Sequence, residues 1–187
     1  MEEDCVAPDF VVENLICDTV GHGSVAVVLN GPMDKDYGTE IDQHDCIFRF
    51  NNFRTYGYEK EVGSRTTWWV VNGDANVGKT HQMPALCPFP EKLYTEAKVR
   101  EFKKLNRIFY TLGDFTRCVP KGHPFPSTGY VFLLLLDFLL EQPFNVYGFN
   151  KLQGGHYFKS THPHSHKHNG ILEHKNITEN YPKITIK

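Results

Sequence analysis

Short apolar runs that each stop at a turn signal constrain this fold more than any other feature of the chain. The first run, Ser-Val-Ala-Val-Val-Leu at residues 24–29, ends at Asn30-Gly31-Pro32. Such runs are typical of strands buried on both faces of a sheet. Similar runs predict further strands at residues 46–50, 66–71, 107–112 and 144–147.

Two longer stretches between these runs predict helices. Residues 92–105 are rich in charge, and an apolar stretch ending near Glu141 begins after Ser127, which is a suitable N-cap. Strands that alternate with helices predict an α/β domain built on a mostly parallel sheet. We expect this domain at residues 24–187, after a lead-in at residues 1–23. Ligands of such sheets bind beyond the carboxyl ends of the strands.

Composition and charge exclude several classes of protein. The 187 residues include 20 Lys and Arg against 22 Asp and Glu, so the net charge of −2 gives no electrostatic reason to expect nucleic acid. No run of 18 apolar residues predicts a membrane span. The acidic start, Met-Glu-Glu-Asp, is unlike a signal peptide, so we expect a cytosolic chain or one that lacks its leader or anchor. The five cysteines are scattered and contain no C-x-x-C pair, which argues against zinc and leaves the compartment open.

One segment matches the P-loop pattern. Residues 73–80 read Gly-Asp-Ala-Asn-Val-Gly-Lys-Thr and follow a predicted strand. A P-loop must lead at once into a helix whose amides hold the phosphate, whereas Pro84, Pro88 and Pro90 leave room for barely one turn. The sequence therefore gives only weak support to a P-loop nucleotide-binding protein.

Histidines are concentrated near the C-terminus, at positions 162, 164, 166 and 168. They could bind a metal or form a solvated loop, and no nearby Cys or Asp completes a ligand set. Of these four, only His168 has a carboxylate five residues on, at Glu173, although His174 and Glu179 share this spacing.

Four segments, taken in order, resemble the motifs of one enzyme family. Residues 25–67 are similar to the large sialylmotif, with Asn30-Gly31, Arg49-Phe50-Asn51 and a Val-Gly-Ser-Arg-Thr-Thr segment. Residues 126–149 resemble the small sialylmotif, with Pro-Ser-Thr-Gly, an apolar helix and Tyr-Gly-Phe. His156-Tyr157-Phe158 is similar to the third motif, and His168 with Glu173 fits the very small motif. The chain thus resembles the animal-type (eukaryotic) sialyltransferases.

This resemblance implies a single Rossmann-like domain, the GT-A-like variant of sialyltransferases, with residues 24–187 as the catalytic domain. It implies inverting, metal-independent transfer of sialic acid from CMP-sialic acid to a galactoside or sialoside on a glycoprotein or glycolipid. The donor is a substrate, and no cofactor is expected. The implied compartment is the Golgi if an anchor is missing, and otherwise the cytoplasm.

The reaction needs a base for the acceptor proton and groups that stabilise charge on the leaving phosphate. His168 is the expected base, since a neutral imidazole is available near neutral pH, and the resemblance implies the same role. It also implies that His156 donates to the phosphate. Tyr157 and Glu173 are expected to support these histidines.

The expected nucleotide-binding residues follow strands or start a helix. Asn30, Gly31 and Asn51 come after apolar runs, where short amides can reach ribose or phosphate, although Asn also favours turns. Residues 127–129, which are Ser127, Thr128 and Gly129, lie at a helix start whose amides suit an anion, although capping alone would explain Ser127.

The chain also departs from the family pattern. Val25 and Glu141 stand where the family has paired cysteines, so the expected disulfide is absent. Leu29 replaces a usual glycine and narrows the space near the nucleotide, and the stretch between the large and small motifs is short. A sialyltransferase-like domain that binds nucleotide or glycan without turnover is therefore the alternative function.

Overall fold

A computed structural model describes residues 10–72, 81–88, 109–111, 119–123, 126–149, 155–158 and 168–187 of the protein. The described elements alternate between helices and strands. In chain order they are α1 (Phe10–Val20), β1 (Val25–Val28), α2 (Gly38–Asp42), β2 (Cys46–Phe50), α3 (Glu59–Val62), β3 (Trp68–Val70), β4 (Ala85–Cys87), β5 (Phe109–Thr111), α4 (Thr128–Leu139), β6 (Phe144–Tyr147), α5 (Gly170–Asn180) and β7 (Ile184–Ile186).

The strands form one parallel sheet in the order β5-β4-β3-β2-β1-β6-β7. From β1 the chain proceeds to one edge of the sheet, and it then crosses back to place β6 on the other side of β1. In open α/β sheets ligands bind at such a reversal, beyond the carboxyl ends of the strands, and this region after β1 and β6 is called the crevice below. The predicted fold class is confirmed.

The predicted strands agree with the structure, and two further strands were missed. β2 and β6 match their predicted limits, β1 and β3 are shorter than their apolar runs, and β5 lies within its predicted run. The missed strands β4 and β7 have three residues each, and unlike β3 and β5, which are equally short, they do not lie within a longer apolar run. The helix predicted at residues 92–105 lies outside the described residues.

The core lies on both faces of β1, all four residues of which are buried. On one face α4 buries residues 129–136 without a break, because the sheet covers one side of this helix and Ile16 of α1 and Ile177 of α5 pack into the same cluster. Ile16 lies within the predicted lead-in. On the other face Ala26 and Val28 pack with Ile41 of α2.

The structure next to the P-loop-like segment lacks the helix that such a loop requires. Residues 73–80 themselves lie outside the described part of the chain. Residues 81–84 are not helical, and β4 begins at Ala85 and pairs in parallel with β3. A strand therefore follows where a P-loop needs the N-terminus of a helix.

Within the described ranges, no helix has both the length and the apolar character needed to cross a membrane.

Candidate functional site

The backbone after β1 is hydrogen-bonded to the end of β6. The Leu29 N–H donates to the Tyr147 carbonyl at 2.9 Å, and the Gly31 N–H donates to the Gly148 carbonyl at 3.1 Å. Gly148 has φ +67°, and a Cβ there would lie 2.7 Å from the Leu29 carbonyl oxygen. Only glycine allows this approach, so the Tyr-Gly-Phe of the small motif fixes the position of Asn30 and Gly31.

Asn30 is buried in this crevice with half of its amide satisfied. Its Nδ2 donates to the Phe50 carbonyl at 3.0 Å, which ties the end of β1 to the end of β2. Its Oδ1 is buried and has no hydrogen-bond partner among the described residues. An unsatisfied buried acceptor costs about 1–3 kcal/mol, so an N–H or O–H from a ligand would be stabilised there.

Asn51 has a structural role in the turn after β2. It adopts the left-handed conformation with φ 49°, which Asn tolerates better than most residues. Its Oδ1 accepts the Asn72 N–H at 2.9 Å, and its carbonyl accepts the Trp69 Nε1–H at 2.6 Å. The turn chemistry considered for Asn51 is therefore present, and contact with nucleotide remains a prediction for this residue.

The start of α4 lies against the end of β1. A Cβ at Gly129 would lie 2.6 Å from Leu29 Cδ2, so the small motif supplies a glycine where the helix meets the strand. Ser127 is the N-cap, and its Oγ accepts the Tyr130 N–H at 3.1 Å. Leu29 is itself buried and occupies space between the strand and the first turn of the helix.

Glu173 joins α5 to this helix start. Its carboxylate is fully buried and accepts two hydrogen bonds from Ser127, from the backbone N–H and from Oγ, both at 2.7 Å. Burial raises the pKa of Glu173, while the two Ser127 bonds and the nearby His168 and His123 act to lower it. A buried carboxylate thus connects the very small motif with the small motif.

The structure distinguishes the two His-x-x-x-x-Glu pairs. His168 lies just before α5 and is close enough to Glu173 to act on its pKa. Glu179, the corresponding residue of the other pair, is exposed and forms an ion pair with Lys175 at 3.9 Å. The geometry favours His168 with Glu173 over His174 with Glu179.

The third motif is fixed to the loops after β1 and β2. The Tyr157 N–H donates to the Asn30 carbonyl at 2.9 Å. The Tyr157 hydroxyl accepts the Arg54 N–H at 2.9 Å and donates to the Arg54 carbonyl. The His156 ring packs on Phe158 with centroids 5.0 Å apart. The segment that carries His156 is thereby brought to the carboxyl edge of the sheet.

A buried arginine lies beneath this edge. Arg49 Nε donates to the Arg65 carbonyl at 2.9 Å, and Nη2 donates to the Val62 carbonyl at 2.6 Å at the end of α3. Burial lowers the pKa of Arg49 to about 10, against the opposing effects of Tyr157 and Asp42. The sequence identified Arg49 only as a motif match, because an arginine inside an apolar run does not reveal its partners.

His123, which lies before α4, was not predicted from the sequence. The His123 ring stacks on Tyr130 with centroids 5.1 Å apart and planes 17° apart. The Tyr130 hydroxyl donates to Asn176 Oδ1 of α5 at 2.6 Å. His123 belongs to none of the four motifs, so nothing in the sequence pointed to it.

The family's disulfide positions hold other contacts. Val25 is buried in β1 and Glu141 is exposed, and neither side chain has a thiol that could form a disulfide. Next to them, Gln142 Nε2 donates to the Gly23 carbonyl at 2.6 Å and joins the same two segments. Among the described cysteines, Cys17, Cys46 and Cys87 do not pair with one another in a disulfide.

Of the histidine-rich segment at residues 162–168, residues 162–167 lie outside the described residues. In the rest of the described chain, no group of three or more His, Cys, Asp or Glu side chains is arranged to hold a metal.

Comparison with known proteins supports the family. Residues 17–116 match glycosyltransferase family 29 (sialyltransferase). Beta-galactoside alpha-2,6-sialyltransferase 2 from Gallus gallus is 42% identical over 65 residues, which are 34% of this chain and 12% of that protein. CMP-N-acetylneuraminate-beta-galactosamide-alpha-2,3-sialyltransferase 1 from Mus musculus is 50% identical over 54 residues, which are 28% of this chain and 16% of that protein. The matches thus span a small part of these curated relatives.

Solved structures share the fold. A mammalian sialyltransferase superimposes with a TM-score of 0.59 at 20% identity, over 97% of this chain and 80% of that one. Another, crystallised with Gal-beta-1-3GalNAc-ortho-nitrophenol, gives 0.58 at 22% identity, over 88% and 68%. Because the family match covers more than half of the residues, the chain belongs to glycosyltransferase family 29, the sialyltransferases.

Proposed function

We propose that this chain transfers sialic acid from CMP-sialic acid to a hydroxyl group of a glycan acceptor. The observation that carries the proposal is the pair of hydrogen bonds from Ser127 to the buried Glu173 carboxylate. They connect the helix that follows His168 to the start of α4, beside the end of β1, where a nucleotide would bind. A chain that needed only to fold would gain little from burying a carboxylate there.

Two features of the crevice suit the CMP part of the donor. The first turn of α4 begins at Ser127, and N–H groups at a helix start attract an anion such as the phosphate. The buried Asn30 Oδ1 has no partner among the described residues and suits a ribose hydroxyl or the cytosine amino group. Gly31, Asn51, Thr128 and Gly129 complete the proposed nucleotide site.

The proposed mechanism inverts the anomeric carbon. His168, as a neutral imidazole, takes the proton of the acceptor hydroxyl while the new glycosidic bond forms and the bond to the CMP oxygen breaks. His156 donates a hydrogen bond to the leaving phosphate and, with the α4 amides, stabilises its charge. These groups meet the charge requirements of the step, so the proposal includes no metal and no cofactor.

The first acceptors to test are galactosides on glycoproteins or glycolipids, with sialosides as the second class. The names of two relatives contain a beta-galactoside and a beta-galactosamide, and one solved relative holds a Gal-beta-1-3GalNAc compound. These words describe the relatives, and we use them only to choose the order in which acceptors are tested.

A binding domain without turnover is the second candidate. The observation in its favour is Leu29, whose side chain fills space against Gly129 at the start of α4. This side chain narrows the region where the phosphate would sit. Such a domain would still bind CMP or glycan but would release no CMP from the donor.

The test measures CMP release from CMP-sialic acid with a panel of galactosides, in the wild type, H168A and H174A. We expect H168A to lower kcat by about 100-fold or more, the usual contribution of a general base, with CMP affinity unchanged in calorimetry. H174A is the matched control, since His174 has the same spacing to a glutamate, and it should keep most of the activity. Wild-type CMP binding without CMP release would instead establish the binding domain.

A further inference from the structure

One cation at the carboxyl edge of the sheet is available to a ligand. Arg54 lies in the loop after β2, and its side chain is exposed. In the part of the chain that the structure describes, no residue accepts a hydrogen bond from its guanidinium and no carboxylate forms an ion pair with it. A guanidinium has five N–H donors in a planar fork that fits a carboxylate or a phosphate. Arg54 can therefore bind an anionic group.

The third motif fixes where Arg54 lies. The Tyr157 hydroxyl accepts the Arg54 N–H at 2.9 Å and donates to the Arg54 carbonyl, so one side chain holds both backbone groups of this residue. The Tyr157 N–H in turn donates to the Asn30 carbonyl at 2.9 Å, just after β1. Arg54 is thus tied to the crevice through two hydrogen-bonded steps.

Arg54 and His156 contact the same aromatic ring. The Arg54 Cζ lies over the Phe158 ring, 5.3 Å from its centroid, which is within the range of a cation–π interaction. The His156 ring packs on Phe158 with centroids 5.0 Å apart. Phe158 therefore places the guanidinium close to the histidine that is proposed to donate to the leaving phosphate.

CMP-sialic acid presents two anionic groups close together. The anomeric carbon of its sialic acid carries both the carboxylate and the oxygen of the phosphodiester, so the two charges lie side by side. The proposed phosphate contacts are His156 and the α4 amides, and they leave the carboxylate without a cation. Arg49 also lies near Tyr157, but it is fully buried, whereas Arg54 is exposed.

We propose that Arg54 binds the carboxylate of the donor's sialic acid and is a specificity-determining residue for the sugar half of the donor. This inference rests on the proposed function and extends it from the CMP part to the sugar. The carboxylate accepts two N–H groups of the guanidinium, which forms a charge-assisted pair. CMP has no such carboxylate, so its affinity does not depend on Arg54.

R54Q is the informative variant, because glutamine removes the charge and the fork from an exposed side chain and keeps the backbone groups that Tyr157 holds. K175Q is the matched control, since it removes one charge from an exposed lysine of α5 that pairs with Glu179. Calorimetry measures the affinity of each protein for three probes. They are CMP, the 3-fluoro analogue of CMP-sialic acid, which resists cleavage, and the methyl ester of that analogue, which lacks the carboxylate charge.

In R54Q we expect the affinity for the analogue to fall by about 10-fold or more, the usual effect of losing a hydrogen-bonded charge pair, with the affinity for CMP unchanged. The methyl ester should bind to the wild type and to R54Q with the same affinity, because the charge that Arg54 recognises is absent. R54K should recover part of the loss, since lysine restores the charge without the fork. K175Q should match the wild type with all three probes.

An R54Q variant that binds the analogue as tightly as the wild type does would overturn the inference. Equal losses for the analogue and its methyl ester would also overturn it, since Arg54 would then only hold the third motif in place. A loss for CMP as large as that for the analogue would assign Arg54 to the phosphate and overturn it too. If the wild type bound none of the three probes, the proposed function would be wrong, and the inference would fail with it.

Discussion

Glu173 combines two properties that oppose each other. Its full burial penalises the charged form and raises its pKa, and its two hydrogen bonds from Ser127 favour the charged form. Because burial is the larger effect, the folded state holds the Glu173 proton more tightly than the unfolded chain does. Above the pKa that this carboxyl has in the unfolded chain, ionisation therefore lowers the free energy of unfolding. The loss grows until the pH passes the raised pKa of the folded state.

E173Q tests this sign. The amide cannot ionise, so the wild type should lose stability relative to E173Q as pH rises above about 4.5, with a slope of at most about 1.4 kcal/mol per pH unit for one proton. Urea unfolding at several pH values from 4.5 to 7.5 measures the difference. E179Q is the matched control, since Glu179 is exposed, and it should show no such slope. A wild type that gains stability relative to E173Q over this range would show that the hydrogen bonds exceed the burial penalty.

Among the elements, β1 and α4 depend on one close contact. Gly129 leaves room for Leu29, and the missing Cβ would lie 2.6 Å from Leu29 Cδ2. Leu29 and Gly129 therefore form one packing unit. The unit lies beside the first turn of α4, so its packing sets how much room remains for a phosphate.

G129A should destabilise the fold by about 1–3 kcal/mol, the usual cost of overpacking. L29A alone should also destabilise it, since it leaves a cavity. In the double variant L29A/G129A the new methyl group enters the space that leucine leaves, so the two effects should offset each other by about 1 kcal/mol or more. Urea unfolding of the four proteins gives this coupling. Additive effects would show that the two residues are not in contact.

A strand or helix could be predicted where its own residues carry the pattern that identifies it. β2 and β6 were placed correctly because each is an apolar run between turn residues. α4 was placed by its apolar stretch and its Ser127 cap. β4 and β7 could not be found, because neither lies within a longer apolar run as the equally short β3 and β5 do, and both gain stability from neighbouring strands.

The candidate site shows the same limit. The motifs selected Ser127 and Glu173 separately, but their contact joins positions 46 apart in the chain and becomes visible only in the fold. Asn51 was selected for ligand contact, which stays a prediction, while its structural role in accepting the Asn72 N–H is visible only in the fold. His123 carried no signal, because its environment comes from Tyr130 of α4, a contact that only the fold creates.

At the scale of the whole molecule, the crevice lies where the two halves of the sheet meet. β1 pairs with β2 on one side and with β6 on the other, so among the described strands β1 connects the four that end at β5 with the two that end at β7. A ligand in this crevice contacts both halves at once. Its binding should therefore stabilise the domain as a unit and should not protect one loop alone.

CMP should accordingly raise Tm. A ligand at 100 times its Kd adds about 2.7 kcal/mol, which corresponds to roughly 5–10 °C for a domain of this size. N30A should reduce the shift, because the crevice loses the amide that joins β1 to the Phe50 carbonyl. K79A should leave it unchanged, since Lys79 belongs only to the P-loop-like segment.

If Mg²⁺ with ATP raised Tm, CMP did not, and K79A abolished the effect, residues 73–80 would be the nucleotide site and the donor proposal would be wrong. A CMP shift that depends on Asn30 would place the nucleotide at the end of β1.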